Sequence, residues 1–218
     1  MNVVVFVLGR PGSGKSTAAR YINQLVTQQG CTTRHINDYD ILKNMFLEDT
    51  DHKRFRPTGN NGFDAIDLSV LDIALHEVEQ KVEACLPSLD LVTIEFARDD
   101  YRHALGQFRP DFLQDAYFLF MDADIETCLQ RVHYRVEYAV STDDHPSFSD
   151  TIFRNYYGRD NKPYISRRLQ QEFKIRKQVH VIDNSGPLEH CLRQVHQFVH
   201  TILQQETSLS VSTGVLTD

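Results

Sequence analysis

The sequence predicts an α/β chain in three layers, with helices on both faces of a five-stranded parallel sheet. Short β-branched apolar runs alternate with stretches of helical periodicity along most of its length. The chain has 218 residues, 41% hydrophobic and 24% charged, enough to bury a core without a disulfide or metal staple. The first run, Val3 to Leu8, is continuous and apolar, as a strand covered on both faces must be. Gly12 to Gln29 reads as a loop entering a helix, with Ala18, Ala19, Ile22, Leu25 and Val26 at helical spacing and Gly30 at its end. Thr32 to Ile36 is the second strand. Phe55 to Phe63, crowded with Gly, Asn and Pro, is expected to be a loop. Asp67 to Leu86 places Leu68, Leu71, Leu75, Val78 and Val82 on one helical face before Pro87. Leu91 to Phe96 and Tyr117 to Met121 are two more strands, Ile125 to Val140 a helix, Val179 to Ile182 a fifth strand and Leu188 to Leu203 a closing helix. One domain is expected over residues 1–206, with a flexible polar tail over 207–218.

Several function classes are excluded by the same residues. No apolar run is long enough to span a membrane, and Val3 to Leu8 lacks the basic flank and cleavage site of a secretory leader. Cys31, Cys85, Cys128 and Cys191 are scattered, with no CxxC pair and no zinc spacing, which fits a reduced, cytoplasmic chain. The net charge of −7 argues against a nucleic-acid partner. The charge is uneven, however: residues 36–100 hold 15 acidic and 6 basic side chains, whereas residues 131–177 hold 10 basic and 6 acidic. The second segment is suited to handling anions. The histidines show no ligand spacing and read as packing or surface residues, and neither GxSxG nor HExxH occurs.

Gly9-Arg10-Pro11-Gly12-Ser13-Gly14-Lys15-Ser16, followed by Thr17, satisfies GxxxxGK[ST] directly between the first strand and the first helix. Glycines allow the backbone to wrap so that its N–H groups converge on phosphate oxygens, and the helix adds its positive N-terminus. Lys15 would reach the β and γ phosphates of ATP, and the Ser16 hydroxyl would bind Mg²⁺. ATP is favoured over GTP because no NKxD-like motif is visible. The fold class is therefore a three-layer α/β/α P-loop NTPase fold. Carboxylates follow two strands, Asp38 with Asp40 after the second and Glu95 closing the third. Either strand end is placed to hold Mg²⁺ or to accept a proton from a hydroxyl, while helix capping is the ordinary alternative for Asp38 and Asp40. An unpaired carboxylate behind the apolar run Leu91 to Ile94 would be costly, which favours function for Glu95.

The loop, Asp38 to Lys43 (DYDILK) and Ile94 to Arg98 (IEFAR) together resemble the P-loop nucleoside and nucleotide kinases, the adenylate and cytidylate kinase-like small-molecule kinases. The resemblance runs to about residue 205. In adenylate kinases the third strand leads into an Asp-Gly-Phe-Pro-Arg run, to which Glu95, Phe96 and Arg98 are similar with one residue fewer. The resemblance implies strand order 2-3-1-4-5 and a lid over about residues 131–165, whose Arg131 and Arg135 would close on the transferring phosphoryl group. It implies an acceptor site near Asp38, Arg54, Arg56 and Arg98, and a turn from Ile182 to Gly186 near the base. The expected activity is ATP-dependent phosphoryl transfer to a small acceptor, a nucleotide, nucleoside or related metabolite, with Lys15, Asp38, Glu95, Arg131 and Arg135 catalytic. The alternatives are a nucleotide-dependent regulatory ATPase, or a 5′-hydroxyl polynucleotide kinase, which needs a basic groove. Oligomeric state is not readable from the sequence.

Overall fold

A computed structural model of the chain describes residues 2–58, 62–138 and 150–213. Its sheet is formed by β1 (Val3–Leu8), β2 (Thr33–Asn37), β5 (Leu91–Phe96), β6 (Tyr117–Asp122) and β7 (Val179–Asp183). The order is β2-β5-β1-β6-β7 and every pairing is parallel, so the expected order of the five main strands holds. Between them run α1 (Lys15–Gln28), α2 (Asp38–Glu48), β3 (Phe55–Pro57), β4 (Phe63–Ala65), α3 (Ser69–Cys85), α4 (Tyr101–Leu105), α5 (Pro110–Gln114), α6 (Ile125–Glu137), α7 (Asp150–Tyr157), α8 (Lys162–Arg167) and α9 (Leu169–Glu172), with α10 (Leu188–Thr213) last.

The six residues of β1 are all buried. Their alternation feeds two cores. Val4, Phe6 and Leu8 pack with Phe96, Phe108 and Phe118, while Val3, Val5 and Val7 pack with Ala18, Ile22 and Phe198. Phe6 stacks on Phe118 at 4.9 Å and meets Phe108 edge-on at 5.1 Å; truncating it to Ala would cost about 3–5 kcal/mol. A smaller third core, around Cys128, Leu129, Val132 and Phe153, joins α6 to α7 and sits beside the sheet's C-terminal edge. The layered architecture holds the C-terminal strand ends together, where open α/β sheets place their sites.

Two sequence expectations change. The Phe55 to Phe63 segment contains an antiparallel hairpin, with Phe55 opposite Ala65 and Pro57 opposite Phe63. Aromatic packing overrides the loop-like composition: Phe63 stacks at 4.9 Å on Phe46 and meets Phe55 edge-on at 5.4 Å. Thr58 N–H donates to Gly62 O at 2.9 Å beside the strand ends, and residues 59–61 lie outside the described residues. Nor does the closing helix stop near Leu203. It continues through Thr213, so the expected tail is helical over its first seven residues, and 214–218 lie outside the described residues. The expected lid span contains the second half of α6, all of α7 and the start of α8, with 139–149 outside the described residues. No described helix is long and apolar enough to cross a membrane.

Candidate functional site

The loop from Gly9 to Gly14 leaves β1 and turns into α1 through left-handed backbone at Gly12 (φ 79°) and Gly14 (φ 96°). A Cβ at Gly12 would also collide with the Cys128 carbonyl of α6, so two independent demands exclude any side chain there. No side chain caps α1, which leaves its first N–H groups for an anion. The loop is fastened from both sides. The Tyr101 hydroxyl accepts from Gly9 N–H at 2.7 Å and lies 3.0 Å from Gly9 O and 3.2 Å from Phe96 O. Asn184 Nδ2 donates to Ser13 O at 2.8 Å. Neither anchor has a motif; each is visible only once α4 and the β7 turn are brought to the loop.

Lys15 is buried, and its Nζ donates to the carbonyl of Arg10 at 3.0 Å. Burial pulls its pKa down and the Arg135 charge adds to that, while Glu95 opposes it. Beside it, Ser16 Oγ donates to Glu95 Oε1 at 2.7 Å. Glu95 Oε2 stands 3.1 Å from His35 Nε2, near enough for an ion pair but out of line for a hydrogen bond. Burial alone would raise the Glu95 carboxyl; His35, Lys15 and Ser16 outweigh it and hold the group below its ordinary range. The adjacency of His35 was hidden in the sequence because the two residues are 60 positions apart.

Asp38 begins α2, but it does not cap the helix. Asn37 does, accepting from Tyr39 N–H at 3.0 Å. This leaves the Asp38 carboxylate for Arg98, whose Nη1 donates to Oδ2 at 2.6 Å with both side chains buried. Arg98 also donates to Ala97 O and Leu71 O, at 2.8 and 2.9 Å. Burial raises the Asp38 pKa, and Arg98 offsets this only in part. A carboxylate more basic than usual, held by one oxygen, is suited to accept a proton.

These groups open on one cleft of about 580 Å³. Pro11, Gly12, Gly14, Lys15, Ser16 and Thr17 of the loop and α1 line it, together with Asp38, Glu95 and Arg131 and Arg135 of α6. Arg131 Nη2 donates to Asn184 O at 2.9 Å, while its buried Nη1 has no hydrogen-bond partner among the described residues. The hairpin contributes Arg56 and Phe63, and α7 contributes Ile152, Tyr156 and Tyr157. Of the residues foreseen for an acceptor, Asp38, Arg56 and Arg98 line the cleft and Arg54 does not; Arg54 stands where its charge is felt by Asp49 and Asp67 instead. Arg98 is engaged with Asp38 and two carbonyls. Arg10, expected at the phosphates, turns its side chain toward the segment after α7.

Among the described residues no group of three or more His, Cys, Asp or Glu side chains forms a metal cage. Mg²⁺ does not require one: it keeps several waters and takes one or two protein oxygens alongside substrate phosphates. The Ser16–Glu95 pair at the phosphate loop is a donor set of that kind.

No protein-family profile matches the sequence, and no curated protein matches it. Solved structures do. Kti12 of Chaetomium thermophilum, in complex with ADP-AlF3, is 16% identical, with 92% of this chain and 97% of that one covered at a TM-score of 0.59. A gluconokinase from Sinorhizobium meliloti 1021 is 13% identical, with 94% and 97% covered and a TM-score of 0.54. The APS kinase CysC of Mycobacterium tuberculosis, in complex with AMPPNP and APS, is 14% identical, with 91% and 98% covered and a TM-score of 0.54. At these identities the likeness is one of fold, and the chain has a P-loop kinase-like fold.

Proposed function

We propose that this protein transfers the γ-phosphoryl group of ATP to a hydroxyl or phosphate of a small acceptor, a nucleotide, nucleoside or related metabolite. One observation carries the reading: Lys15 of the phosphate loop, the Ser16–Glu95 pair and the basic Asp38 carboxylate line one cleft together with Arg131 and Arg135. Little covalent work is asked of the protein in such a reaction; it positions the groups and neutralises developing charge.

In this reading the loop N–H groups and Lys15 hold the β and γ phosphates. Lys15 exchanges its bond to Arg10 O for phosphate oxygen, and the arriving negative charge reverses the depression of its pKa. Ser16 and Glu95 would hold Mg²⁺, which would supply charge to screen the phosphates for in-line attack. Asp38 takes the acceptor's proton when the acceptor is a hydroxyl, with Glu95 the second candidate for that task. Arg131 and Arg135 donate to the γ-phosphate as its charge moves. Arg56, at the hairpin rim, meets an anionic acceptor. The single domain over 1–206, the lid role of 131–165 and a cytoplasmic setting belong to the same proposal.

The test is ATP consumption with Mg²⁺ and pooled acceptors, followed by phosphorus NMR: nucleoside monophosphates, nucleosides, small alcohols and sugars, and a 5′-hydroxyl oligonucleotide. One pool should raise ADP formation well above the acceptor-free rate and produce a new phosphate resonance. Lys15→Ala should abolish turnover with the fold intact. ATP hydrolysis that no pool accelerates would shift the assignment to a regulatory ATPase, and a Lys15→Ala protein that keeps most of its activity would overturn both.

A further inference from the structure

Arg10 occupies a position of the phosphate loop that the motif leaves unspecified, and its guanidinium faces away from the cleft. Nε donates to Tyr157 O at 2.8 Å, Nη1 to Ala123 O at 3.0 Å and Nη2 to Arg159 O at 2.8 Å. One planar fork is thus matched to three backbone carbonyls, one at the end of β6 and two where the chain leaves α7. Only arginine offers three donors in this fixed arrangement; a lysine would satisfy one carbonyl at a time. Gly158 lies between the two carbonyls of the α7 end. A Cβ there would run into Arg154 O, so the tight turn that presents both to one guanidinium has room for glycine alone.

The backbone of the same residue faces the other way. Arg10 O accepts from Lys15 Nζ at 3.0 Å and from Ser13 N–H at 3.1 Å. The peptide that Lys15 must release to take a phosphate is therefore attached, through its own side chain, to the segment carrying Tyr156 and Tyr157, two residues of the cleft wall. We infer that Arg10 is a positioning residue that makes the placement of the α7 wall depend on phosphate occupancy of the loop. The inference rests on the nucleotide-binding reading proposed above. It is not needed merely to keep α7 attached, because other anchors do that: Arg159 pairs with Asp100, Asn161 Nδ2 donates to Asp99 O at 2.8 Å, and Phe153 is fully buried in the third core. Those side-chain contacts run to Asp100, Asp99 and the third core, not to the loop residue that Lys15 holds.

Amide hydrogen exchange across 150–162 tests this, in the whole protein with and without Mg²⁺ and a non-hydrolysable ATP analogue saturating for each variant. In the wild type the nucleotide should slow exchange in this segment between about 5- and 150-fold, the range of ordinary coupling between sites. Arg10→Gln and Arg10→Lys should bind the analogue yet lose most of that slowing, the latter because charge without the fork does not suffice. Gly158→Ala, which touches neither the loop nor the arginine, should lose it too. A merely structural role would instead raise exchange equally with and without nucleotide. That result, or full nucleotide-dependent slowing in all three variants, overturns the inference; if Arg10→Gln fails to fold, Gly158→Ala decides. A wild type that binds the analogue with no change across 150–162 overturns it while the nucleotide reading stands, and a wild type that binds no nucleotide removes both.

Discussion

Removing the carboxylate of Asp38 should unfold far more of this protein than a surface acid would. Asp38→Ala leaves the Arg98 guanidinium buried, still bonded to Ala97 O and Leu71 O but without the one anionic partner it has among the described residues. Arg98 cannot discard its charge, so the cost is that of an uncompensated buried ion, about 3–5 kcal/mol. The two remaining carbonyls and the Phe96 ring, 5.6 Å from the guanidinium carbon, place the expectation near the lower end. About 3 kcal/mol is a loss of roughly 150-fold in the folding constant. With a urea slope near 3 kcal/mol/M it moves the midpoint by about 1 M. Arg98→Met should cost less at low pH than at neutral pH, since the stranded carboxyl can take a proton. Asp38→Ala/Arg98→Met should recover much of the loss, leaving a coupling of at least about 2 kcal/mol in the double-mutant cycle. The assay is urea denaturation followed by circular dichroism. Additive costs, or a single-variant loss below about 1 kcal/mol, would refute the argument that the pair is held by mutual charge compensation.

Other expectations follow from the same geometry. Tyr101→Phe should cost about 1–3 kcal/mol by stranding the buried Gly9 N–H, read as a fall in melting temperature, and should weaken nucleotide binding measured by calorimetry. The Glu95 pKa is lowered in the folded state, so its contribution is present above the ordinary glutamate value of 4.5 and is lost as pH falls through the depressed one. Thermal melts of Glu95→Gln should accordingly show a flatter dependence below that pH than the wild type. Arg56→Ala should raise the acceptor KM more than Arg54→Ala, since of the two only Arg56 lines the cleft; steady-state kinetics with the acceptor that the pooled assay selects would measure it.

The sheet was legible because β1, β5 and β6 are buried on both faces and read as continuous apolar runs. The phosphate loop was legible because its glycines answer local backbone demands. The hairpin was not, because what makes Phe55 and Phe63 strand residues is Phe46, on another element. Asp38 was read as metal or proton acceptor and, together with Arg98, as part of an acceptor site, but their ion pair was not read; only the fold places them 2.6 Å apart across 60 residues. Arg10 shows the opposite failure: the motif assigned it by membership to the phosphates, whereas its side chain is directed by carbonyls more than a hundred residues away.

The two fastenings of the loop, Tyr101 on Gly9 and Asn184 on Ser13, bear on how binding energy is divided. The conformational entropy of a glycine-rich turn is surrendered once, during folding, with the hydrophobic collapse of α4 and β7 to offset it. In the proposed function an arriving polyphosphate would meet a preformed cup, displacing solvent and the Lys15 bond to Arg10 O, so most of its attraction to the amides would survive as affinity. In that reading, recognition of a phosphate tail would be separated from whatever the rest of the ligand contributes, and the cleft beyond Asp38 would be free to diverge toward any acceptor without loosening the grip on a triphosphate.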